Sequence, residues 1–140
     1  MGEVAVLGVG LFAVILGLIH FTLPRRFGFS QVILETGQSP PEFRLGPYRQ
    51  ELQRSDLRGM VYVMNHAASF VILSIGVFDL FAMSWWTSWQ GAAVSTWAAV
   101  FWWVRAAAQL HVGLRRGDLF VMGWFAMLGL LQLAPLLDPA

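Results

Sequence analysis

Seven polar residues stand inside stretches that are otherwise apolar: His20, Tyr62, Asn65, His66, Ser69, Arg105 and Gln109. Tyr62, Asn65, His66 and Ser69 follow the spacing i, i+3, i+4, i+7, so on a helix they form one stripe. Arg105 and Gln109, four residues apart, share a helix face with Ala98 and Trp102. Hydrogen-bonding groups in hydrocarbon are costly without partners, so a polar stripe there marks the place to look for function. The residue types define the chemistry they offer. Arg105 pairs with negative charge, Tyr62, Asn65, Ser69 and Gln109 exchange hydrogen bonds, and a histidine moves protons near neutral pH, which makes His66 the candidate catalytic group.

Other chemistries are excluded. The chain has no cysteine, so disulfides, thiolate metal sites and cysteine nucleophiles are ruled out. It has no phosphate-binding glycine loop, no HExxH and no GxSxG. Nothing in it points to nucleic acid.

The elements that must position these residues follow from composition. Of 140 residues, 57% are hydrophobic and 12% charged, with seven Trp and eleven Phe, too apolar for one soluble domain. Four spans are expected, at about 4–24, 59–83, 91–113 and 119–137, each near the 20 residues that cross a hydrocarbon core. Short connectors between the later spans imply an all-α, up-down four-helix transmembrane bundle in one domain, 1–140. In the first span Gly10, Ala13, Gly17 and His20 share a face, the first three small enough to admit a neighbouring helix. Asp79 falls near the end of the second span and reads as interfacial. Asp118 reads as the N-cap of the fourth, which is expected to pack through Gly123, Met127, Leu130 and Ala134.

Residues 25–58 form the one long loop. It carries six Arg and is split by Pro40-Pro41. Pro47–Arg58 reads as a short surface helix, part of a lid over the inner mouth of the bundle. The connector Ser84–Gln90 holds three Trp and no basic residue, as an interfacial belt does. Eight of the nine Arg flank one side and none flanks the side of the termini, so the Arg side is expected to be cytoplasmic with both termini outside. The use of Arg without Lys suggests a bacterial source, hence the inner membrane.

In that topology His20, the Tyr62–Ser69 stripe and Arg105 with Gln109 occupy one leaflet, and His111 projects elsewhere and reads as interfacial. The expected occupant is an amphiphilic small molecule such as a lipid, quinone or isoprenoid. A second reading places haem b or a metal on His20 and His66, with Arg105 on a propionate. A third makes the polar residues interhelical glue in an accessory subunit of a larger membrane complex, or in a homo-oligomer. The chain length, the four spans and Leu23-Pro24-Arg25 resemble the haem-containing four-helix protoporphyrinogen oxidases. The Asn in the second span and Gln132-Leu133-Ala134-Pro135 in the fourth resemble an uncharacterised four-span bacterial family. Neither resemblance transfers a functional residue.

Overall fold

A computed structural model of the chain describes residues 2–26, 42–45, 47–51, 54–81, 88–111 and 115–137. The main elements among them are four helices: α1 (Gly2–Arg26), α2 (Arg54–Phe81), α3 (Trp89–Ala108) and α4 (Arg116–Gln132). A 3-10 turn, Gln109–His111, prolongs α3, and a single helical turn, α5 (Ala134–Leu137), follows α4. A two-stranded hairpin, β1 (Glu42–Leu45) and β2 (Tyr48–Glu51), precedes α2 and pairs antiparallel in the register Glu42↔Glu51 to Leu45↔Tyr48.

Three of these helical stretches are long and apolar enough to cross a membrane: Gly2–Arg26, Arg58–Phe81 and Arg116–Leu136. The third expected span, α3, is long enough at 20 residues but falls outside that set. Its tryptophans, Gln90, Ser95, Thr96 and Arg105 dilute its aliphatic content. The surfaces of the three apolar helices support the reading. Val4, Leu11, Val63, Met64, Phe120 and Leu130 are all more than half exposed. A water-soluble bundle would turn such side chains inward, whereas hydrocarbon accepts them.

Two expected elements are corrected. No surface helix runs over Pro47–Arg58: residues 48–51 pair with 42–45 as a strand, and the helical conformation begins at Arg54, continuous with the second span. Strand pairing satisfies the backbone from a sequence neighbour that helix-start signals do not register. The rest of the expected lid lies outside the described residues. The fourth helix begins at Arg116, so Asp118 is its third residue and Arg115 its N-cap. Asp118 Oδ2 accepts from the Arg115 backbone N–H and from Arg115 Nε, both at 3.1 Å, which places a carboxylate at the positive end of the helix dipole.

The contacts fall into two compact units, residues 1–14 with 74–140 and residues 15–73. In the first, Gly10 and Gly76 let two backbones meet. A Cβ added to Gly76 would lie 2.6 Å from Val14 N and 2.8 Å from Gly10 O. Trp103 Nε1 donates to Ala126 O at 3.3 Å, and its ring fills the space left by the missing side chain of Gly129. The face that α4 buries is Phe125, Leu128, Gly129 and Gln132. Gly123, Met127 and Leu130, the expected packing face, are exposed, because a bulky aromatic and not a small-residue stripe faces α3. In the second unit, Gly17 packs on Leu73, whose backbone N would lie 2.9 Å from a Cβ at that position.

Candidate functional site

In the second unit the polar stripe is organised by a proline. Within a helix the His20 carbonyl would accept from the N–H of residue 24, but Pro24 has none. Asn65 Nδ2 donates to that carbonyl instead, at 2.9 Å. Ser69, fully buried, donates its hydroxyl proton to Asn65 O at 2.6 Å. Its oxygen lies 3.2 Å from His20 Nδ1 and, having spent its proton, acts as the acceptor. A neutral His20 therefore carries its proton on Nδ1. Asn65 and Ser69 thus serve backbone carbonyls and orient His20.

His66 behaves differently. It is exposed, and its Nδ1 donates to Tyr62 O at 2.7 Å, one turn earlier on α2. Its ring stacks on Tyr62 at 6.3 Å and 21° and meets the edge of Phe21 at 5.6 Å. A neutral His66 held this way presents Nε2 as its lone-pair nitrogen. The structure thus brings His20, Tyr62, Asn65, His66 and Ser69 into the second unit.

Arg105 and Gln109 belong to the first unit. Arg105 lies with its guanidinium carbon 5.4 Å from the centroid of Phe125, a cation–π contact, and Trp102 stacks on the same ring at 5.7 Å and 17°. Arg105 Nε is buried and has no hydrogen-bond partner among the described residues, and no ion pair there includes Arg105. Gln109 is the C-cap of α3, its backbone N–H directed to Ala106 O. His111 is exposed in the 3-10 turn.

The same unit holds a pair that the residue pattern did not single out. Asp79 and Gln132 are both fully buried, and Gln132 Nε2 donates to Asp79 Oδ1 at 2.7 Å. The interfacial position expected for Asp79 is therefore corrected: its Cβ packs 2.7 Å from where a side chain on Gly10 would begin, so the absent side chain makes room for it inside the unit. Helical spacing carried the signal. Ile72, Ile75, Gly76 and Asp79 repeat at intervals of three and four, as do Phe125, Leu128, Gly129 and Gln132, so both polar residues extend apolar seams. Asp79 Oδ2, Gln132 Oε1, Ser95 Oγ and Trp102 Nε1 are buried without partners among the described residues.

Among the described residues no group of three His, Asp or Glu side chains is gathered as a metal would need. The class these features define is a helical protein with three stretches fit to cross a membrane. No family model matches the sequence, and no curated protein or solved structure is significantly similar to it.

Proposed function

We propose that the chain is a four-span inner-membrane protein of bacterial origin that binds the head of an anionic amphiphile, with Arg105 as the charge contact. In this reading α3 also crosses the membrane, as the third of four spans, both termini lie outside, and the Arg-rich loop and the Arg115-Arg116 turn lie in the cytoplasm. One observation carries the binding role. Arg105 is half-buried on an aromatic pair, with no carboxylate among the described residues to neutralise it and one N–H left unused. Arg105 stands in the last turn of α3, so its charge costs less than the about 2.5–3.5 kcal/mol of a helix centre, but its unused N–H still calls for an acceptor. An anionic head group supplies both the charge and the acceptor that Arg105 lacks. Gln109, one turn on, offers the neutral hydrogen bonds such a head group also takes.

Native mass spectrometry of protein purified in mild detergent tests this. The wild type is expected to retain an anionic lipid-like adduct, and Arg105→Ala to lose it. A charged hydrogen bond contributes about 1.5–3 kcal/mol, so the affinity should fall about ten- to a hundredfold, with Arg105→Lys in between. An adduct retained at equal occupancy by Arg105→Ala refutes the reading.

A second reading, haem b on His20 and His66, follows from the two rings' shared place in the second unit, where each turns its Nδ1 to an oxygen of α2. It predicts a Soret band that His20→Ala and His66→Ala abolish. A colourless preparation made with haem supplied rules it out.

A further inference from the structure

We propose that Asp79 and Gln132 form a binding site for one exchangeable proton, held between Asp79 Oδ2 and Gln132 Oε1. The two side chains are already joined by one hydrogen bond, Gln132 Nε2 to Asp79 Oδ1, and each keeps one buried oxygen with no partner. Both orphans are acceptors when the carboxyl is ionised, so they have nothing to offer each other. A proton on Oδ2 converts one of them into a donor that Gln132 Oε1 can accept, so that the acid and the amide close a ring of two hydrogen bonds. The opposite assignment of the Gln132 amide leads to the same place. It would set two oxygens 2.7 Å apart, a separation that only a shared proton makes favourable.

Nothing else on the surrounding elements supplies the missing charge. On the α2 segment of this unit, residues 74–81, Asp79 is the one charged residue, and α5 has none. On the part of α1 that belongs to this unit, residues 2–14, the one ionisable side chain is Glu3, seven residues and about 10 Å of helix from Gly10. On α4, Arg116 and Asp118 lie 14 or more residues before Gln132, about 21 Å or more along the axis, and Arg115 caps the same far end. On α3 the candidates are Arg105, which lies over Phe125, seven residues and about 10 Å from Gln132, and His111, exposed in the turn beyond it. Among the described residues the one hydrogen-bond partner of Asp79 is Gln132, and no ion pair includes it. An ionisable group placed this way inside a membrane helix is a functional site by default.

The step is a simple acid–base exchange. The carboxylate takes a proton from hydronium, forming the Oδ2–H bond and releasing water, and the reverse step returns the proton to water. Release would leave a carboxylate held by the single hydrogen bond from Gln132 Nε2 and packed against Gly10, at the point where Gly10 and Gly76 bring α1 and α2 together. Proton occupancy is thereby tied to the closeness of that contact.

Infrared spectroscopy on the full-length protein in lipid nanodiscs reads the proton directly. The wild type should show a carboxylic-acid C=O band that falls as the pH is raised and is absent in Asp79→Asn, whose amide keeps both hydrogen bonds. Gln132→Leu, which leaves the acid in place without its acceptor, should move the band to higher frequency. That variant keeps the test open if Asp79→Asn does not fold. A spectrum with no Asp79-dependent acid band overturns the proposal, as does a band that Gln132→Leu leaves unmoved. Loss of the band on adding Na+ at fixed pH also overturns it, by showing that an alkali ion takes the place of the proton.

Discussion

Replacing Asn65 by alanine removes the one donor seen at the His20 carbonyl, and the size of the effect depends on residue 24. Pro24 withholds the N–H that residue 24 would otherwise give this carbonyl, so Asn65→Ala removes the side-chain donor that stands in for it. An acceptor left without its donor costs about 1–3 kcal/mol in a protein interior. Interhelical hydrogen bonds in a membrane are worth less, about 0.6 kcal/mol on average and about 1.7 at most, so a loss near 1 kcal/mol is expected. Pro24→Ala restores an N–H aimed at the same carbonyl. In that background Asn65→Ala should cost only a few tenths of a kcal/mol, and the cycle should give a coupling of about 1 kcal/mol. The cavity left by the lost proline ring enters both arms and cancels. Reversible unfolding in mixed micelles, followed by circular dichroism, measures all four proteins. Equal costs for Asn65→Ala with and without Pro24 would refute the account of why the asparagine is there.

Other perturbations follow from the packing. Gly76→Ala pushes a methyl group into backbone atoms of α1 and should destabilise by about 1–3 kcal/mol, whereas Gly8→Ala meets nothing within 4 Å and should stabilise by up to about 1 kcal/mol. Thermal unfolding of the two variants in one detergent separates them, and equal shifts would contradict the close approach at Gly76. Asp118→Ala removes the acceptor for the Arg115 backbone N–H and should cost about 1 kcal/mol, with Asp118→Asn recovering part of it. An unchanged midpoint would show that the helix start does not need that carboxylate.

How far the sequence reaches is shown by the stripe on α2. The helix and its polar positions follow from local spacing, but the seam runs from half-buried Asn65 through the buried Ser69, Ile72, Gly76 and Asp79, alternating steps of four and three. That period, close to 3.5, leaves His66 on the flank, exposed, although an i, i+4 reading joins it to Tyr62. Followed from Ser69 for about three turns, the same period lands on Asp79, which its nearness to the helix end disguised. The first half of α1 and its close contact were legible because Gly10, Ala13 and Gly17 have no other use on one face. The face of α4 was not, since it is chosen by Phe125 and Trp102 stacking across two helices, a contact between residues distant in sequence. The same holds for the hairpin, whose strands satisfy each other and not a local period. The link between Asn65 and Pro24 was readable in part: a proline four residues after His20 announces an orphaned carbonyl, though not which side chain serves it.

That orphaned carbonyl also bears on how the chain is made. α1 precedes α2 in the chain, so the donor that Asn65 supplies to the His20 carbonyl is absent until α2 has been made and packed against α1. Pro24 thus ties the completion of the first helix's hydrogen bonding to the arrival of the second.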